Sequence, residues 1–108
     1  MKLNIYGLRD SVALETIVLL TAPSDELMAR NAKAMMLQGA QMFLENVQDK
    51  AIFHIGQLDT TSGKVIAAEE PVQVFQCLEL FNEAKEERRR IFGDERSVKV
   101  EGKEVKKD

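Results

Sequence analysis

The sequence is short of most of the residues from which chemical sites are built. It has one cysteine, Cys77, one histidine, His54, and no tryptophan. A lone cysteine excludes an internal disulfide, and one histidine beside one cysteine cannot supply the ligand spacing of a zinc site. This usage fits a reducing cytoplasm. No stretch approaches the roughly 20 apolar residues of a membrane span; the longest run, Ile17-Val18-Leu19-Leu20, is strand-sized. The opening Met1-Lys2-Leu3-Asn4-Ile5 lacks a signal peptide's long apolar region, so the protein is expected to stay in the compartment where it is made. A Gly-rich phosphate loop, a nucleophile elbow and a metal-binding helix motif are all missing from the sequence. The expectation is a protein that binds rather than catalyses, with no cofactor.

What is present is the composition of a globular protein: 44% hydrophobic, 31% charged and two prolines in 108 residues, enough for one core and one domain. The net charge of −3 argues against coating nucleic acid by bulk electrostatics. Its distribution is uneven. Residues 85–108 hold nine Lys/Arg and seven Asp/Glu, whereas residues 1–84 hold six and eleven. Any anion-binding surface must therefore be local.

Lys2 to Leu8 reads as a strand, with Leu3 and Ile5 on one face and Asn4 and Tyr6 on the other. Arg9-Asp10-Ser11 supplies a turn. Residues 12–20 are rich in β-branched and aliphatic side chains and read as a second strand, although Ala13, Leu14 and Glu15 suit a helix equally well. Ser24, Asp25 and Glu26 form a helix start, a capping side chain followed by negative charge at the positive end of the dipole. A long helix is expected from there to about Val47, with Met28, Ala32, Met35, Gly39, Met42 and Phe43 on one face. Four of the five methionines lie in this segment, and methionine adapts to irregular or shared surfaces.

Ala51 to Leu58 and Lys64 to Ala68 form a hairpin closed by Gly63, where only glycine enters the left-handed conformation without steric cost. In the third strand Ala51, Phe53 and Ile55 share one face and Ile52, His54 and Leu58 the other. Both faces are apolar, so another chain is expected to cover one of them. Pro71 is expected to open a second helix with Val74, Phe75, Leu78 and Phe81 as its core face. Glu86/Arg89, Glu86/Arg90 and Glu87/Arg90 have the spacing of a solvated, paired helix face, so Arg88-Arg89-Arg90 reads first as salt-bridged surface and second as a phosphate clamp. The fold class is α+β, a four-stranded antiparallel sheet with two helices in the order β-β-α-β-β-α. The domain is expected over 1–92. A charged, mobile tail is expected over 93–108, where Val98, Val100 and Val105 are the only hydrophobic side chains.

Cys77 lies among apolar residues and reads as a buried structural thiol. His54 has no obvious nucleophile beside it in sequence, and Asp10 and Asp59 read as turn residues.

Three stretches carry a resemblance together: Lys2-Leu3-Asn4-Ile5-Tyr6-Gly7-Leu8-Arg9-Asp10, then Ala29-Arg30-Asn31, then Phe53 to Ile66 with Gly56-Gln57-Leu58-Asp59 and Thr61-Ser62-Gly63. In order and spacing this resembles the small nonstructural protein of gokushoviruses, the single-stranded DNA microviruses. The match covers about residues 1–68. The aliphatic stretch Leu14 to Leu20 departs from the Phe and Pro of that family, and the charged tail has no counterpart. The resemblance implies a phage protein absent from the virion, made in the infected bacterial cytoplasm and associated with DNA binding or viral single-strand synthesis. It implies no catalytic residues.

Two binding roles follow. A single-stranded DNA-binding protein needs aromatic platforms with cations nearby. Tyr6 and His54, with Phe53 as a further ring, and Lys2, Arg9, Arg30 and Lys64 are the candidates. The alternative is a homo-oligomeric assembly module without nucleic-acid binding, a dimer or larger, for which the two-faced strands and the methionine stripe speak.

Overall fold

A computed structural model describes the backbone of residues 1–103 and the side chains of residues 1–91. Its elements are β1 (Lys2–Asp10), β2 (Glu15–Ala22), α1 (Asp25–Leu37), α2 (Gln41–Leu44), a 3-10 turn (Val47–Asp49), β3 (Lys50–Asp59), β4 (Val65–Gln76) and α3 (Cys77–Lys103). The four strands form one antiparallel sheet in the order β2-β1-β3-β4, as the β-β-α-β-β-α reading requires. The expected mobile tail over 93–108 lies outside the described side chains, and its residues 104–108 lie outside the described backbone.

The two hairpin turns share one construction. The Asp59 carboxylate accepts the N–H groups of Thr61 and Ser62, and the Gly63 N–H donates to the Asp59 carbonyl at 2.7 Å with φ +78° at Gly63. In the first turn the Asp10 carboxylate accepts from Val12 and Ala13, and the Leu14 N–H donates to the Asp10 carbonyl at 2.8 Å. Leu14 sits at φ +60°, a conformation that costs a non-glycine residue about 1–2 kcal/mol. The expected strand over 12–20 is thereby corrected to Glu15–Ala22, because the Asp10 turn absorbs residues 11–14. Backbone donors hold the exposed Asp10 carboxyl below the ordinary carboxylate range, Ala13 first and Val12 after it.

Ser24 caps α1 as expected, its Oγ accepting the Leu27 N–H at 3.2 Å. The single long helix to Val47 is corrected. Gly39 adopts φ +89°, the Gly39 N–H donates to Met36 and the Ala40 N–H to Met35, and the chain leaves the helix there. This is a Schellman closure, for which glycine is the favoured residue. Gly39 is accordingly exposed rather than part of a core stripe, and the buried face of α1 is Met28, Ala32 and Met36.

The start of the last helix is corrected too. β4 runs straight through Pro71 to Gln76, and the helix begins only at Cys77. Pro71 is tolerated because β4 is an edge strand that bulges at that point, where no ladder N–H is missed. The core face of α3 is then Cys77, Leu80 and Ala84, while Leu78 is exposed and Val74 and Phe75 pack from the strand.

Both helices lie on one side of the sheet. Tyr6, Leu8, Ala22 and Ile52 from the strands join Met28, Ala32, Met36, Phe43, Cys77 and Leu80 in one core.

Candidate functional site: the uncovered face of the sheet

Pairing register decides which side chains face the helices. On β1, Tyr6 and Leu8 enter the core, so by alternation Leu3, Ile5, Gly7 and Arg9 point to the opposite face. A Cβ added at Gly7 would meet Thr16 Cγ2 at 2.9 Å and Ile55 Cδ1 at 3.6 Å, which assigns Thr16 and Ile55 to that face. Leu19 and Phe53 lie directly opposite Gly7 on the two flanking strands and share its side. One extra residue at Ile55 shifts the phase of β3, so that Leu58 pairs with Leu3. Leu58 therefore belongs to the uncovered face and not, as alternation alone predicted, to the face of Ile52 and His54. None of Leu3, Ile5, Leu19, Phe53, Ile55 and Leu58 belongs to the core or packs against it. The result is an apolar sheet face with no described element over it, on which Leu19 is 64% exposed and Val65 64% exposed.

The candidate residues do not converge on one place. Tyr6 is fully buried, 0% exposed, and its ring meets His54 edge-on at 5.8 Å. Its hydroxyl donates to Asp25 Oδ1 at 2.5 Å and accepts from Asn4 Nδ2 at 3.1 Å. Burial first, then the hydrogen bond to Asp25, pushes the Tyr6 pKa up to about 12. A ring so enclosed offers no surface for a base, and the expectation of a wet stacking platform at Tyr6 is corrected. His54 lies on the same helix-side face, opposite Tyr6. Lys2 and Lys64 meet at one end of the sheet, where Lys2 pairs with Asp59 and the Asp59 N–H donates to the Lys64 carbonyl. Arg9 lies on the uncovered face at the other end of β1, opposite Ala51, roughly 20 Å away along the strand. Arg30 is exposed on α1 and lines an open cleft of about 780 Å³ with Leu27, Lys33, Leu37, Phe75 and Glu87. Glu26 and Glu87 set negative charge in the same cleft. Burial opposes the Lys33 charge, but hydrogen bonds to Glu83 and Glu87 outweigh it and hold its pKa above the ordinary lysine value.

The basic stretch of α3 is partly paired: Arg89 donates to Glu86, while Glu87 turns to Lys33 instead of Arg90. Cys77 is buried, and desolvation pushes its thiol up to about 11, the opposite of nucleophile activation. Sequence reasoning passed over Lys50, which is 5% exposed and donates to the Met42 carbonyl at 2.9 Å. A lysine at a strand end carries no signal that a neighbouring loop will close over it.

Among the described residues no helix is long and apolar enough to cross a membrane, and no group of three or more acidic, His or Cys side chains has the placement to hold a metal ion. No curated protein and no solved structure matches the chain significantly. The sequence model of one family, described as the Phage ORF5 protein, matches residues 3–80, a span that includes all four strands, α1 and the start of α3. This chain therefore belongs to the Phage ORF5 protein family and is a bacteriophage protein.

Proposed function

We propose that this phage protein is a non-catalytic, homo-oligomeric assembly module of the gokushovirus type, acting in the host cytoplasm and outside the virion. The observation that carries this reading is the uncovered apolar face running from Leu19 through Ile5 and Phe53 to Val65. Contiguous apolar patches of this kind on soluble proteins mark surfaces that another protein covers. A second copy of the same face supplies the matching apolar chemistry, as two sheets do when they pack about 10 Å apart in a sandwich. Light scattering on the full chain at high micromolar concentration tests this. A mass above one 12.2 kDa chain is expected, falling in Phe53→Glu with the circular dichroism of the folded chain retained. The mass of a single chain for the unaltered protein would remove the reading.

Single-stranded DNA binding during viral genome synthesis or packaging is the second reading. Phe53 and Arg9 share the uncovered face, Phe53 opposite Gly7 and Arg9 opposite Ala51. Oligomerisation would repeat these sparse groups and raise a weak affinity. The face nonetheless carries mostly aliphatic side chains, and Lys2 with Lys64, Arg9 and Arg30 lie at three separate places, which is why assembly takes precedence. Titration of labelled single- and double-stranded DNA across a salt series separates the two. Single-strand preference, with about −0.7 in logarithmic slope per neutralised phosphate and a flatter slope in Arg9→Glu/Lys64→Glu, supports DNA binding. No binding at low salt refutes it.

A further inference from the structure

The sheet ends on two edges of opposite character. β4 is blunted against further pairing. Between its residues Ala67 and Val72, which face Gly56 and His54, the chain bulges and carries Glu69, Glu70 and Pro71. Charge, proline and a bulge are the devices that keep an edge strand from recruiting another. β2 carries a charge at Glu15 and a bulge at Ile17, and from Val18 to Ala22 it has none of the three. From Thr16 to Ala22 it reads Thr-Ile-Val-Leu-Leu-Thr-Ala, without charge, proline or glycine, and Ile17 and Leu19 are exposed. Its outer backbone N–H and C=O groups have no partner strand among the described residues. Such a segment is a strong template for strand pairing.

We propose that two copies of the chain pair antiparallel along their β2 edges, around a two-fold axis at Leu19. The inference rests on the homo-oligomer reading and names where two of the copies join. The four-stranded sheets become one continuous sheet across the pair. Leu19 is the midpoint of the uncharged stretch Thr16–Ala22, so an axis there holds Val18–Leu20 of both copies in regular register and sets the bulge at Ile17 opposite Thr21 at each end. Residues that share a face then meet, Val18 with Leu20 of the second copy on the helix side and Leu19 with its own counterpart on the uncovered side. A two-fold contact uses the same edge on both chains and consumes it. With β4 blunted, pairing stops at two copies and does not run on into a filament. The uncovered face doubles in width without interruption, and two such pairs packed face to face bury it.

Leu19→Lys and Leu19→Glu test the geometry, since like charges directly opposite one another destabilise a strand pair and opposite charges support it. Leu19 is 64% exposed, so both variants are expected to fold. Each alone is expected to lose mass in analytical ultracentrifugation, and a one-to-one mixture to regain it. Hydrogen exchange on the unaltered protein needs no variant: alternate β2 amides, those turned away from β1, are expected to be protected at high concentration and to exchange freely on dilution. An oligomer whose outward β2 amides exchange freely, or whose mass is unchanged in both variants, overturns the edge pairing and leaves assembly through the face standing. A single-chain mass for the unaltered protein overturns both.

Discussion

The two faces of this sheet are built from the same strands and are both apolar, yet they differ in every physical respect that separates a core from an interface. Under the helices, Tyr6, Leu8 and Ile52 are fully enclosed by Met28, Met36, Phe43 and Cys77, and the Tyr6 hydroxyl that enters with them is bonded to Asp25 and Asn4. On the other side Ile5, Phe53 and Ile55 are only half-buried, and Leu19 and Val65 are exposed. Alternation puts apolar residues on both sides, but only the connections after β2 and β4 deliver helices, and both arrive on the same side. Apolar content alone therefore does not mark the core. The bonded hydroxyl of Tyr6 does, because a polar atom is buried only where its partner is already in place.

Substitutions at matched positions on the two faces measure the contrast, at concentrations where the chain is monomeric. The largest effect is expected for Tyr6→Ala, a loss of about 3–5 kcal/mol of stability in urea unfolding, as for other large-to-small changes of a core aromatic. Phe53→Ala, its counterpart on the open face, is expected to cost less, roughly 1–2 kcal/mol, since the ring is only half-buried in the single chain. Equal costs would mean that the face assignment is wrong. Next comes Cys77→Ser, which places an unpaired hydroxyl in the core and is expected to cost about 1–3 kcal/mol, against a change within about 0.5 kcal/mol for Leu19→Ser.

The smallest effect sharpens the comparison through pH. The Tyr6 pKa is raised in the folded chain, first by burial and then by Asp25, so between the ordinary value of 10.0 and about 12 the unfolded chain releases a proton that the folded chain retains. Stability is then fully present below pH 10 and declines as pH rises towards 12. Because Tyr6 is the only tyrosine and there is no tryptophan, its tyrosinate absorbance reports the titration directly. Tyr6→Phe is expected to remove this part of the alkaline decline and to cost about 1 kcal/mol for the lost hydrogen bond. A tyrosinate midpoint at the ordinary value would show that the ring is wet.

How much of this was legible in the sequence varies from element to element for definite reasons. The turn ending at Gly63 could be read because glycine advertises a positive φ. The turn ending at Leu14 has the same hydrogen bonds around Asp10 and could not be read, because leucine advertises helix or strand and is held at φ +60° only by the carboxylate and the strands on either side. Gly39 carried the same signal as Gly63 but was masked by methionines at helical spacing on both sides of it. Pro71 reads locally as a helix start, and only its place on an edge strand with a bulge makes it a strand residue. The candidate cations were visible as residues but not as a site: β1 separates Arg9 from Lys2 and Lys64, and the helix layer takes Tyr6 out of reach of a ligand.

Near neighbours and composition were enough to specify a single domain's worth of core, the Ser24 cap, the Gly63 hairpin, four strands and helices in the order β-β-α-β-β-α, and the absence of an internal disulfide. Those features rest on sterics and hydrogen bonds within a few residues, which the chain carries wherever it goes. It took tertiary contacts to settle which apolar face became core and which stayed open, that one extra residue at Ile55 moved Leu58 to the open side, and that β2 became an edge uncharged beyond Glu15 while β4 became a guarded one. Each of these is set by contacts between residues far apart in the chain, and periodicity can say that a strand has two faces without saying what will cover them.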